Sequence, residues 1–252
     1  MNKDRSTMMA EYILKKGEAT IDELANLFDV SIVTVRRDLR KLEKENLIEK
    51  IYGGAKSKSV KLQTFDQRSN LYFDEKKEIC KLASKYIKDG NSIFIDSGTT
   101  VRYLLMDIDK KIHITLITNN LYIINEIRDM PNIELYIVGN YYLRLSNSFI
   151  YRTNTNDLLN FNIDKAFMAA SSISIKNGLA NNNPLEQQIK KKICTISDKK
   201  YLLADSSKFD KSSLLTFARL EDIDTVFTNK PVKEEYFDFF KENGVKCIYP
   251  NN

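Results

Sequence analysis

Cysteine and histidine are scarce in this chain of 252 residues. Cys80, Cys194 and Cys247 are odd in number, far apart and without a CxxC spacing, which argues against a disulfide framework and a zinc site and leaves them as reduced core thiols. The single histidine, His113, sits between Ile112 and Ile114 in a strand-like run, a poor setting for a metal ligand or a catalytic base. No long apolar run is present either. Nothing approaches the roughly 20 residues of a membrane span, and the start, Met1 to Ser6, lacks the apolar stretch of a leader. A cytoplasmic location is expected. Nor does one sign of charge dominate: 39 Lys and Arg against 34 Asp and Glu give a net +5, which permits nucleic acid as a partner without demanding it. The placement of the charge therefore has to decide.

What is present divides the chain. A hydrophobic fraction of 42% with 29% charged residues is that of a globular protein, and the length suits a small module plus a larger one. Up to about Ala55 the pattern is mostly helical. Met8, Met9, Tyr12 and Ile13 recur at helical spacing, and Lys15-Lys16-Gly17 supplies a basic last turn and a stop. Thr20 is placed to cap a second helix, with Glu23 completing a capping box and Ile21, Leu24, Leu27 and Phe28 on one face. Asp29-Val30-Ser31 then makes a turn, and Ser31 caps a third helix running to about Glu45. In that helix Val35, Leu39 and Leu42 must face the core, which leaves Val33, Thr34, Arg36, Arg37 and Arg40 on other faces. Two short strands follow around Gly53-Gly54.

The string VSIVTVRRDLRKLEKENLIEKIYGGA resembles the winged helix-turn-helix of the DeoR family of bacterial transcription regulators, whose pattern runs V-S-x-x-T-[IV]-R-R-D-L through L-[IL]-x-R-x-[HY]-G-G-A. The resemblance implies that the third helix enters the major groove of double-stranded operator DNA. Thr34, Arg36, Arg37 and Arg40 would then reach bases or phosphates, with Ser31 beside a phosphate. In the wing, Lys50, Tyr52, Gly53 and Gly54 would approach the backbone or minor groove. Lys50 stands where the family often has arginine, which keeps the charge and loses the bidentate fork. Asp38 is expected to orient one of the arginines by a salt bridge.

The stretch 57-75 reads as a linker between a DNA-binding domain, 1-56, and an α/β effector-sensing domain, 76-252. From Lys76 helical and strand patterns alternate, the signature of a mainly parallel α/β sheet, in which ligands bind beyond the carboxyl ends of the strands. Polar clusters fall at those ends. Asp96-Ser97-Gly98-Thr99-Thr100 follows one strand and is expected to open a helix whose N–H groups, with the two threonine hydroxyls, hold a phosphate or carboxylate. Thr118-Asn119-Asn120, Gly139 and Asp205-Ser206-Ser207-Lys208 end others. Together they outline a polyol-phosphate pocket, although each cluster alone reads equally well as turn and cap residues.

The resemblance covers nearly the whole chain: IDSGTT, LITNN, DKAFMAAS, EQQIKKKI and LLADSSKF match the sensor half of DeoR-type regulators in order and spacing. That half resembles ribose-5-phosphate isomerase in fold and generally binds phosphorylated sugars. It implies an effector site of Asp96, Gly98, Thr99, Thr100, Thr118, Asn119, Gly139, Glu186, Lys190, Asp205 and Lys208. Glu186 and Lys190, one helical turn apart, also read as an ordinary exposed ion pair. Two positions depart from the pattern: Asn140 follows Gly139 where a second glycine is usual, and Tyr151 stands at a later glycine. The effector's identity therefore does not carry over. A DNA-binding regulator, a repressor of sugar genes acting as a homodimer or homotetramer, is the expectation, with no catalytic residue, metal or cofactor. The alternative is a phosphosugar isomerase-like enzyme carrying a DNA-binding domain.

Overall fold

The computed structural model describes residues 5–44, 48–57, 65–70, 72–152 and 156–250. It divides into two compact units, Met1–Leu62 with Lys211–Leu214, and Gln63–Asp210 with Leu215–Asn252. Part of the expected linker, 58–64 and 71, lies outside the described residues. The remainder is not a plain linker, because it carries helix α4 (Phe65–Asn70) and the start of α5 (Phe73–Ser84), three residues before the expected border at Lys76.

In the first unit, α1 (Arg5–Lys16), α2 (Ile21–Phe28) and α3 (Ile32–Lys44) pack over a three-stranded antiparallel sheet of β1 (Glu18–Thr20), β2 (Ile48–Ile51) and β3 (Gly54–Ser57). Met9, Ile13, Leu24, Val35, Leu39, Leu42 and Ile48 are all buried, so the 3.6-residue periodicity does place the core. Met8, 38% exposed, and Leu27 are exceptions; Leu27 stands out further. It is half exposed, because Leu24 and Phe28 already occupy the inner face of this eight-residue helix. Strand β1 was not anticipated; three residues after Gly17 give too short an alternation to read.

The second unit is built on a seven-stranded, wholly parallel sheet. Its strands are β4 (Ser92–Ile95), β5 (Ile114–Thr118), β6 (Ile133–Ile137), β9 (Ile163–Met168), β12 (Ser197–Leu203), β14 (Thr225–Phe227) and β15 (Lys246–Ile248), in the order β15-β14-β12-β9-β4-β5-β6. Central strands are apolar on both faces: Ile93 and Ile95 join the layer of α5, while Phe94 joins the layer of α7 (Pro184–Ile196) and α8 (Glu234–Glu242). A hairpin of β7 (Tyr141–Leu143) and β8 (Ser148–Ile150), and a small antiparallel sheet of β10 (Ser172–Ser174), β11 (Gly178–Asn181) and β13 (Leu215–Ala218), complete it, with α6 (Leu121–Glu126) after β5. The chain runs from β4 outward to β5 and β6, then returns to lay β9 on the other side of β4. That reversal makes the carboxyl ends of β4 and β9 the topological switch point, where open α/β sheets form their binding crevice.

Candidate functional site

In the first unit most of the expected DNA-facing residues are exposed, whereas Thr34 is half-buried and Gly54 is buried. Arg36, Arg37 and Arg40 are exposed on α3, opposite the buried Val35, Leu39 and Leu42. The Ser31 hydroxyl accepts from the Thr34 amide at 3.2 Å, capping the helix, and lies 3.0 Å from the Thr34 hydroxyl, so these two side chains engage each other. Asp38 is buried and does accept from an arginine, but its nearest partner is Arg5 of α1 at 2.9 Å, with Arg37 at 3.7 Å. It ties α3 to α1 first. The wing presents Tyr52 fully exposed at its tip, while the Lys50 ammonium lies 2.9 Å from Glu43. The two wing glycines serve different ends. Gly53 has φ +75°, the left-handed turn conformation, and its carbonyl receives the Ile21 amide at 2.9 Å. Gly54 is needed for proximity, since a Cβ there would stand 2.3 Å from the Ala19 carbonyl oxygen on β1. Thr20 caps α2 through the Glu23 amide at 3.1 Å. The Glu23 carboxylate closes no capping box and instead accepts from Tyr12 and Lys16.

In the second unit the switch point holds Asp96, 1% exposed. Its Oδ1 accepts from the Ser97 amide at 2.8 Å; its Oδ2 accepts from the Ala169 amide at 2.9 Å and from Lys190. Lys190 also donates to the Ala169 carbonyl at 2.9 Å. The pair thus clamps the end of β4 to the end of β9. Lys190 is not the exposed partner of Glu186, and Glu186 instead lies within electrostatic reach of Arg68. Gly98 packs against Ala169, whose Cβ a side chain at 98 would meet at 2.2 Å. The helix expected after Thr99-Thr100 is only a 3-10 turn, Val101–Tyr103, because Leu104 to Asp107 continue as turns; a macrodipole aimed at an anion is therefore missing here.

Thr118 and Asn119 also work within the scaffold. The Thr118 hydroxyl donates to the Ile95 carbonyl at 2.6 Å and accepts from the Asn120 amide at 3.1 Å. Asn119 donates to the Phe149 carbonyl at 3.0 Å, and Asn120 caps α6 while donating to the Asp96 carbonyl at 3.2 Å. Gly139, at φ +101°, is closed against the hairpin: a Cβ would stand 2.7 Å from the Ile150 amide. Its glycine serves that contact with β8. Of the two departures, Asn140 is exposed and Tyr151 packs on the core layer that includes Ile150 and Leu158.

Asp205 differs. One oxygen accepts from the Ser207 amide at 3.0 Å, but Oδ2, like Asn119 Oδ1, is buried without a hydrogen-bond partner among the described residues. Beside it lies Lys76, 1% exposed, whose ammonium donates to the Arg68 carbonyl at the end of α4. Burial lowers Lys76 to about 8; Asp205 opposes that fall, and Lys208, Arg68 and Arg102 add to it. Burial lowers Arg68 as well, with Glu186 opposing. Lys76 therefore shares its electrostatic surroundings with three other cations, Arg68, Arg102 and Lys208, and with one carboxylate, Asp205, that has an unfilled acceptor.

The N-terminal region, residues 5–61, matches the model of the DeoR-like helix-turn-helix domain, and residues 72–230 match that of the DeoR C terminal sensor domain. The chain belongs to the DeoR family. It is a DNA-binding transcription regulator, similar over 238 residues, at 42% identity, to the regulator IolR of Bacillus subtilis, covering 94% of this chain and 95% of that one. The lactose phosphotransferase system repressor of Staphylococcus epidermidis is 32% identical, with 96% and 99% covered. The repressor GlcR of Bacillus subtilis is 28% identical, with 97% and 95% covered. Among solved structures, ribose 5-phosphate isomerase A of Methanocaldococcus jannaschii aligns over 56% of each chain at 18% identity and a TM-score of 0.41. No helix among the described residues is long and apolar enough to cross a membrane.

Arg68 and Lys76 of this DeoR-type sensor, which in the sequence resemble the family's join ahead of the sensor domain's first helix, fall outside the reading of its strand ends. Arg68 and Lys76 lie on α4 and α5, before the first strand of the sheet, so no rule about strand termini reaches them. A signal existed in the sequence: Lys76 recurs with Ile79, Cys80 and Ala83 on the buried side of α5, and a lysine on an apolar face needs a partner.

Proposed function

We propose that the protein represses genes of carbohydrate use and that a phosphorylated sugar, bound at the strand ends of the second unit, sets its grip on operator DNA. The carrying observation is the buried ammonium of Lys76, which burial, Lys208, Arg68 and Arg102 all disfavour, near an Asp205 with an unfilled buried acceptor. A phosphate dianion beside that ammonium would offset its cost. Asp205 Oδ2 and Asn119 Oδ1 can only accept, so they suit the hydroxyl donors of a polyol. Phosphate at Lys76 and hydroxyls at these two oxygens describe a sugar phosphate. The names of the repressor GlcR and of the lactose phosphotransferase system repressor support repression, and the latter supports a carbohydrate target.

In this reading Asp96 and Lys190 brace the crevice, and the Asp96–Thr100 loop, Thr118, Asn119 and Glu186 form its walls. Arg36, Arg37 and Arg40 meet DNA, with Ser31, Thr34 and the wing residues Lys50, Tyr52, Gly53 and Gly54 against the backbone. Two copies in a dimer, or in half of a tetramer, place their α3 helices about 34 Å or a multiple apart. An effector that changes operator affinity by about five- to 150-fold needs only about 1–3 kcal/mol of differential binding.

The test is mobility shift at fixed salt on the DNA upstream of its own gene and its neighbours, with a panel of sugar phosphates and the matching free sugars. Specific binding altered by a sugar phosphate and not by its free sugar is expected. Specific binding that none of the phosphates alters would overturn the effector, and no specific binding would overturn the operator assignment.

A further inference from the structure

The outward stripe of α3 has an apolar head. Val33, Arg36, Arg37 and Arg40 stand at i, i+3, i+4 and i+7, which puts them on one face of a helix, away from the buried Val35, Leu39 and Leu42. Val33 is 75% exposed. Local structure gives no reason for it, since a β-branched residue at an exposed helix position lowers helix propensity relative to alanine, lysine or glutamate. Among its neighbours in the first turn, the hydroxyls of Ser31 and Thr34 face each other at 3.0 Å, and Ile32, 43% exposed, lies one helical step nearer the buried face. The first turn of α3 therefore offers an isopropyl group at the front of a cationic stripe.

A groove-reading helix meets base edges with its N-terminal residues, while the arginines behind them serve phosphates and guanines. On the floor of the major groove, the 5-methyl of thymine is the apolar group a base pair presents. We infer that Val33 is a specificity-determining residue that reads a thymine 5-methyl in each operator half-site. The occupant is DNA, because the rest of the stripe is three arginines, complementary to phosphate. The inference rests on α3 being the helix that enters the groove.

The experiment begins with duplexes enriched from a random-sequence pool by the full-length protein. Each thymine is then replaced singly by deoxyuridine, which removes only the methyl group, and affinity is measured by mobility shift at fixed salt. One thymine per half-site is expected at which uracil weakens the wild type about fourfold, the effect of one methyl returned to water. Val33→Ala should bind the thymine duplex about as weakly as the wild type binds the uracil duplex, and should be indifferent to uracil there. Alanine is the better helix former, so folding is not at risk. Indifference of the wild type to uracil at every position overturns the inference, as does an equal uracil penalty in Val33→Ala. Arg36→Ala with Arg37→Ala, run on the same duplexes, separates the failures: unimpaired binding there sinks the groove assignment itself, and Val33 with it.

Discussion

The two units place their chemistry on opposite sides of the solvent boundary. In the first, Val33, Arg36, Arg37, Arg40 and Tyr52 stand outside a core to which they contribute nothing. In the second, Asp96, Thr99, Thr100, Thr118, Asn119, Lys76, Lys190 and Asp205 are buried, and Asp96, Thr118, Asn119 and Lys190 hold strand ends in place. A large, flat, charged partner can be met on the surface, whereas a small ligand must be surrounded to be bound well. Function and stability are therefore separable in the first unit and entangled in the second.

The largest expected effect tests that entanglement. Lys190→Ala leaves Asp96 buried and charged, which should destabilise the second unit by about 3–5 kcal/mol in denaturant titration. Adding Asp96→Asn should recover part of the loss, because two removed partners cost less than one orphan. Full stability in Lys190→Ala would mean that the pair is not the clamp its hydrogen bonds describe. On the other side, Arg36→Ala with Arg37→Ala should lower operator affinity by about 100-fold or more, as expected from losing two phosphate or guanine contacts. The unfolding midpoint should not move. A drop in stability of the same variant would erase the contrast between the units.

Smaller, and placed to sharpen the contrast, is Gly54→Ala. A Cβ 2.3 Å from the Ala19 carbonyl forces β3 from β1, at a cost of about 1–3 kcal/mol. Operator binding should weaken with it because the wing moves. Gly53→Ala meets open space but must hold φ +75°, so its cost should be the smaller.

The same contrast explains what could be read from the residues alone. Exposed function follows periodicity, so Val35, Leu39 and Leu42 identify the inner face of α3 and thereby deliver the arginines. Alternating strands and helices likewise announce a parallel sheet, and Asp96 and Asp205 at strand ends follow from that topology. Antiparallel pieces of three or four residues, β1, β7, β8, β10, β11 and β13, give no alternation long enough to detect. The partners of buried charges are also illegible, since Lys190 and Asp96 are 94 residues apart and Glu186 sits only four from Lys190. Local spacing favoured the nearer pair, and the fold chose the distant one. Arg68 and Lys76 come from segments read as linker and first helix, and tertiary packing alone brings Asp205 within electrostatic reach of Lys76.

The finest test of the comparison is a pH profile, because the second unit holds a buried cation, Lys76, that burial pushes down to about 8. Burial holds Lys76 at about 8, against about 10.4 for a free lysine. Below pH 8 the folded state keeps a desolvated ammonium and carries its full cost. Between 8 and 10.4 the unfolded chain binds the proton that the native one has shed, so this residue's contribution makes stability rise with pH. Effector binding should run the other way. A phosphate is already mostly doubly ionised above about pH 7, so from pH 7 to 9 the change belongs to the lysine, and affinity should fall about tenfold if only the ammonium form binds. Lys76→Gln should bind weakly with a flat profile. Removing Lys208, which helps to hold Lys76 down, should instead move the fall in affinity to higher pH. A flat wild-type profile would take Lys76 out of the site and leave Arg68 and Lys208 to hold the phosphate.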